Sequence, residues 1–170
     1  MAVISSFALQ SASAPDVLVL GSIPGVASLQ AVQYYAHPRN AFWPVMAEFF
    51  DFDRDLAYPQ RLATLLQQGV ALWDVLQRCE RQGSLDSAIQ STSIQVNPIA
   101  DWIKQNPQLR LVLLNGGKAA TEFRKHFAEL TELPNLDIQA MPSTSPAYAA
   151  MPYDVKKQRW HAALATVFIR

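Results

Sequence analysis

Apolar residues in this chain gather in short unbroken runs. Residues 16–21 read DVLVLG, the pattern of a strand covered on both faces and closed by glycine. Residues 70–75 (VALWDV), 110–115 (RLVLLN) and, more weakly, 136–141 (LDIQAM) predict three further strands. Between these runs the apolar positions take helical spacing. Residues 41–50 carry Phe42, Trp43, Val45, Met46, Phe49 and Phe50. Residues 58–68 place Leu62, Leu65 and Leu66 on one face, with Gly69 as the stop. Residues 98–105 offer Pro98 for a first turn, and residues 118–127 follow the third strand. Residues 152–169 form the longest pattern, with Val155, Trp160, Leu164, Val167 and Phe168 spaced for burial.

Strands that alternate with helices predict an α/β fold. The expectation is a three-layer α/β/α sandwich around a central, mostly parallel four-stranded sheet, with residues 1–170 as one domain. In such folds ligands bind beyond the carboxyl ends of the strands. Those ends are unusual here: Gly21-Ser22-Ile23-Pro24-Gly25, Trp73-Asp74, Asn115-Gly116-Gly117, and residues 141–146 (MPSTSP).

Composition narrows the choices. The chain has 170 residues, half of them hydrophobic, only 16% charged, and a formal net charge of +0. This argues against a high-affinity, purely electrostatic nucleic-acid binder; a nucleic-acid site would need a local patch or backbone amides. The lone Cys79 rules out an intrachain disulfide and a cysteine-based zinc site. Residues 1–14 lack Lys, Arg and a sustained apolar run, so they do not read as a secretory signal. No stretch approaches the roughly 20 apolar residues that span a bilayer. No membrane association and a cytoplasmic setting are expected.

Three segments can carry chemistry. The 21–25 loop has backbone amides free to face a ligand, with Pro24 stiffening it; a plain strand-to-helix turn is the other reading. It matches neither GxGxxG nor a P-loop. Residues 33–43 (QYYAHPRNAFW) bring together aromatics, an imidazole, a guanidinium and a carboxamide. There, Asn40 is either the N-cap of a helix starting at Ala41 or a working group. The flat ring and polar tip of Tyr35 suit stacking on a base. Residues 142–147 (PSTSPA) are a stiff loop of hydroxyl groups, either an exposed turn or a phosphate grip. Asp74 stands at a strand end, while His126 and His161 read as surface or packing residues. None of these groups forms a recognisable metal site.

Taken together, these segments resemble the uracil-DNA glycosylase superfamily, and most of all its hypoxanthine-DNA (deoxyinosine) branch. The resemblance rests on residues 21–45 (GSIPG…AHPRNAFWPV), 72–76 (LWDVL), 83–89 (GSLDSAI) and 141–147 (MPSTSPA). The segment ending in AHPRNAFW (residues 36–43) is also similar to the mismatch-specific branch. The pattern departs from the uracil-specific relatives at Ile23, where they carry a water-handling Asp or Asn, and at Met141, where they often carry His. The resemblance implies that Asn40 takes over catalysis. It implies base contacts from Gly21, Ser22, Ile23, Pro24, Gly25, Tyr35 and Asp74. DNA contacts would come from His37, Ser143, Thr144, Ser145 and Pro146. The implied partner is DNA with a damaged or mismatched base, the implied enzyme a monomer that needs no metal, organic cofactor or obligate protein partner. For Asn40, orientation of the attacking water is favoured over contact with the base. No lysine occupies the motifs, so hydrolysis without a Schiff base is expected. Three rivals stand beside this reading: uracil or mismatched thymine as substrate, a serine esterase built on Ser22, and a non-catalytic nucleic-acid binder.

Overall fold

The computed structural model describes residues 2–169; Met1 and Arg170, the ends of the expected domain, lie outside them. Its strands are β1 (Ala2–Ser5), β2 (Val17–Gly21), β3 (Val70–Asp74), β4 (Leu76–Arg81), β5 (Gln95–Val96), β6 (Leu111–Asn115) and β7 (Asp137–Met141). Its α-helices are α1 (Val26–Ala31), α2 (Phe42–Phe50), α3 (Tyr58–Gln67), α4 (Ile99–Lys104), α5 (Gly117–His126) and α6 (Tyr153–Ala165).

The expected four strands form one parallel sheet in the order β3-β2-β6-β7. Alternation along its central strands sorts two cores. Leu18, Leu20, Val112 and Leu114 pack with Ile99 and Ile103 of α4 and with Ala119 and Phe123 of α5. Val17, Val19, Leu111 and Leu113 face the other way, onto Phe42 and Met46 of α2, Leu65 of α3 and Trp160 of α6. These are the three layers, and both faces of β2 and β6 are covered, which is why their sequences read as continuous apolar runs.

A second sheet was not expected. Strand β4 pairs antiparallel with β1 and β5. Its burial pattern is broken by exposed polar positions, and β5 has two residues, so neither matched a strand template. Helix α1 also escaped the pattern because Ser28 is its buried residue. One boundary moved and one burial expectation failed. The last helix stops at Ala165, and Val155, expected to be buried, is on the surface. Gly69 does close α3, with φ of 95°. No helix among the described residues is long and apolar enough to cross a membrane.

Strand register brings the chemistry-bearing residues level. Gly21 pairs with Asp74, Asn115 pairs with Met141, and Asn115 lies one residue beyond the Leu20–Leu114 pair. All four sit on one edge of the sheet, at the carboxyl ends of its strands.

Replacing Leu113, fully buried in the second core, with alanine is expected to cost about 2–5 kcal/mol. Urea unfolding measures it; a loss below about 1 kcal/mol would mean that this face of the sheet is loosely packed.

Candidate active site

A cavity of about 530 Å³ opens at that edge, lined by Gly21, Asp74, Asn115, Tyr35, His37, Asn40 and the 22–26 and 143–148 segments. Its size falls in the roughly 300–1,000 Å³ range of small-molecule sites. Every residue expected to contact base or DNA lines it. The roles that the geometry permits differ among them.

The floor is polar and incompletely satisfied. Asp74 is 3% exposed, and its Oδ2 has no hydrogen-bond partner among the described residues. The Tyr35 hydroxyl is also buried, facing the Asn115 side chain without a closed hydrogen bond among the described residues. Both meet at Gly21: a Cβ built there would stand 2.6 Å from Asp74 Oδ1 and 3.1 Å from Tyr35 Oη. Only glycine leaves room for the pair. Burial, and then the charge of Asp86, push the Asp74 carboxyl up to about 7. Burial, followed by the charge of Asp74, raises the Tyr35 phenol above its ordinary value, so it stays a neutral donor.

Tyr35 adopts a left-handed backbone, φ 57°, in a tight loop after α1. Its ring stacks on Phe42 with centroids 4.1 Å apart and planes at 29°. Phe42 is fully buried and meets Trp160 edge-on, so α2 and α6 hold Tyr35 in place. Tyr34, next in the chain, receives the Trp43 indole on its carbonyl at 2.9 Å.

Asn40 precedes α2, but Ala41 is the N-cap of that helix. The Asn40 Oδ1 nevertheless accepts the Phe42 amide at 2.9 Å. Since a backbone N–H can donate only to the oxygen, the Nδ2 is the end left for the cavity. Asn40 is thus not the N-cap that the sequence offered, yet its carbonyl braces the first turn, and no hydrogen bond occupies its NH₂ among the described residues.

Two loops wall the cavity, each braced from behind. Arg81 is fully buried and donates from Nη2 to Pro24 O at 2.6 Å and from Nε to Gly83 O at 2.7 Å. Ser84 Oγ accepts the Val26 amide at 2.8 Å, and Ser22 Oγ donates to Asp86 Oδ1 at 2.7 Å. Ile23 turns into the first core and gives the cavity an apolar wall. On the other side Asn115 donates to Thr144 Oγ1 at 2.9 Å and accepts its amide at 3.0 Å. Thr144 O in turn accepts the Ala41 amide at 2.9 Å. Trp160 donates to Pro142 O, and Lys156 Nζ donates to Ser145 O at 3.3 Å.

This arrangement corrects one expectation. Thr144 is 1% exposed and its polar atoms lock the loop to Asn115 and Ala41, so it is not placed to grip a phosphate. Ser143 Oγ accepts the Ser145 amide and Ser145 Oγ accepts the Ala147 amide, which leaves each hydroxyl proton available to donate. His37 is partly exposed, its Nδ1 accepting the Arg39 amide at 3.1 Å. His161 is bonded to Val45 O, and His126 to Glu122. Ser22 is thus partnered by a carboxylate, with no imidazole bonded to it among the described residues, and the esterase arrangement is not assembled.

Asn115, Arg81, Ser84 and Asp86 shape the site but were not assigned to it from sequence. Asn115 carried a signal, an asparagine before Gly-Gly at a strand end. Arg81 carried none, since a buried cation inside an antiparallel strand has no sequence signature.

Comparisons with known proteins converge on one superfamily. A family model described as the uracil DNA glycosylase superfamily matches residues 9–166. The chain is 32% identical over 133 residues to the hypoxanthine DNA glycosylase of Methanosarcina acetivorans, covering 78% of this chain and 80% of that protein. It is 35% identical over 105 residues to the hypoxanthine DNA glycosylase of Methanosarcina barkeri, covering 61% and 65%. The solution NMR structure of a candidate uracil DNA glycosylase from Methanosarcina acetivorans superposes with a TM-score of 0.81. It is 28% identical and spans 97% of this chain and 98% of that one.

The raised Asp74 carboxyl has a consequence for stability. Between its ordinary 3.8 and about 7, the folded protein holds a proton that the unfolded chain has released. Stability from this group is therefore complete at low pH and is lost as pH rises through about 7. Relative to Asp74→Asn, wild type should lose stability across that window, as read by unfolding at several pH values. Parallel curves for the two proteins would show that Asp74 does not hold the proton.

Proposed function

The chain belongs to the uracil DNA glycosylase superfamily, and on that premise we propose that it is a monofunctional DNA glycosylase that hydrolyses the N-glycosidic bond of hypoxanthine in deoxyinosine. The observation that carries this reading is the grouping of Asn40, Tyr35, Asp74 and the 143–146 loop around one cavity. The names of the two Methanosarcina relatives support the choice of base, and the reading keeps the expected monomer in a cytoplasmic setting.

The scissile bond lies inside the duplex, so the nucleotide must be extruded, at a cost of about a few kcal/mol. A deoxyinosine pair is weaker than a normal one, which lowers that cost. Tyr35, held by Phe42, offers a fixed aromatic surface to the extruded base. The Asp74 carboxyl, in its acid form, can donate to the base carbonyl and accept the adjacent ring N–H. Ile23 and the amides of the 21–25 loop complete the wall. The hydroxyls of Ser143 and Ser145 serve the flanking phosphates, and His37 and Pro146 stand at the same mouth. Lys156 adds a cation beneath this loop, a local charge in a chain with none overall.

As the bond breaks, the sugar gains positive and the base negative character. A donor aimed at the departing base is the group this transition state needs. Because Asn40 Oδ1 already serves Phe42, the reading assigns Asn40 the donor role through Nδ2 and moves it away from water orientation. Water then takes the sugar carbon, its oxygen bonding to that carbon while the proton goes to solvent or base. The strand stays intact, leaving an abasic site.

The direct test uses end-labelled duplexes with one inosine, one uracil or one G·T mismatch, followed by alkali. Cleavage of the inosine strand, only after alkali, is expected. Dominant uracil release would move the protein to the uracil-specific reading, and cleavage before alkali would contradict simple hydrolysis. Asn40→Asp keeps an acceptor for Phe42 but loses the NH₂. It should fall in single-turnover release by at least about tenfold, as should Asn40→Ala. Retained activity in Asn40→Asp would return Asn40 to water orientation.

A further inference from the structure

Residues 83–89, the GSLDSAI segment, have no role in the reaction as described so far, yet nearly every residue of the turn is committed. Gly83 has φ of 76° and its carbonyl is taken by Arg81. Ser84 holds the Val26 amide, and Asp86 holds Ser22 and starts a short 3-10 turn through Ala88. Ile89 is anchored in the first core, 7% exposed. The Leu85 carbonyl accepts the Ala88 amide, but its side chain, like that of Ser87, makes no such contribution among the described residues. It stands between two anchored polar residues, 55% exposed, on the lining of the cavity.

An isolated exposed leucine is ordinary on a protein surface. This one is held at the mouth of a site for an extruded nucleotide, by a turn fastened to the 22–26 segment on both sides of it. The turn braces the β3–β2 side of the sheet edge, while the 143–148 loop braces the β6–β7 side, where Tyr148 is 40% exposed. Fixed apolar side chains are the groups that enter a base stack, because they replace stacking contacts without needing hydrogen bonds. A rigid turn presents one at little ordering cost on binding.

We propose that Leu85 inserts into the DNA base stack beside the extruded nucleotide, making the 83–87 turn a second DNA-contacting rim. This inference rests on the glycosylase reading. Its test compares Leu85→Ala with wild type in single-turnover release from an inosine duplex and from the same strand unpaired. A stack-opening role matters only where there is a stack to open. Release from the duplex should fall by about tenfold while release from the single strand changes by less than about twofold. Leu85→Met should restore most of the duplex rate. Equal losses on both substrates would make Leu85 part of the pocket wall, and unchanged rates on both would remove it from DNA contact; either overturns the proposal. In parallel, a fluorescent adenine analogue beside an abasic site reports unstacking without catalysis. Wild type should brighten it and Leu85→Ala should not; equal signals would overturn the inference. Should wild type release no base from any DNA, the glycosylase reading falls, and this fluorescence difference still decides the role of Leu85.

Discussion

Asp74 is buried at the end of a parallel strand with a carboxylate oxygen that no described residue satisfies. Leaving a polar group in that state costs about 1–3 kcal/mol, and leaving it charged costs more. Two neighbours depend on it. Gly21 must lack a side chain because Asp74 Oδ1 and Tyr35 Oη occupy the space where one would go. Tyr35 must keep its proton because the same burial and the same carboxyl oppose the phenolate. The outcome below about pH 7 is a floor of neutral hydrogen-bonding groups with unused capacity, suited to the flat polar edge of a base.

Such a floor discriminates only if its walls do not move, and the protein spends its buried polar contacts on holding them. The second sheet joins the first core through Leu76 and Cys79, and β4 with the turn after it delivers Arg81 to Pro24 and Ser84 to Val26. Asn115 clasps Thr144 through two bonds, and α6 adds Trp160 and Lys156 to the same loop. With no net charge to draw DNA from a distance, recognition falls to short-range donors, a local cation and exposed apolar side chains at the rim.

The layered fold was legible because β2 and β6 are covered on both faces and so carry unbroken apolar runs. Four strand ends with glycine, asparagine, proline or aspartate were legible as a single edge for the same reason. The antiparallel sheet was not, since the pattern of β4 is broken at Gln77 and Arg78 and ends on a buried arginine, and β5 is too short for periodicity. At the site, Asn40 and Tyr35 stood out as side chains, but the split use of the Asn40 carboxamide did not, because it depends on where the Phe42 amide points. Thr144 looked like its serine neighbours in sequence. Only the strand end at Asn115, 29 residues away along the chain, shows that it is a strut. Leu85 was hidden by its surroundings, a single apolar residue in a polar turn.

The pH dependence of single-turnover hypoxanthine release, measured for wild type and Asp74→Asn, tests the neutral floor most directly. Asparagine offers the base carbonyl a donor and the ring N–H an acceptor, as the protonated aspartate does, but does not titrate. The account expects wild-type release to decline as pH rises above about 7 and Asp74→Asn to remain active without that decline. An inactive Asp74→Asn, or one that keeps the wild-type profile, would contradict it.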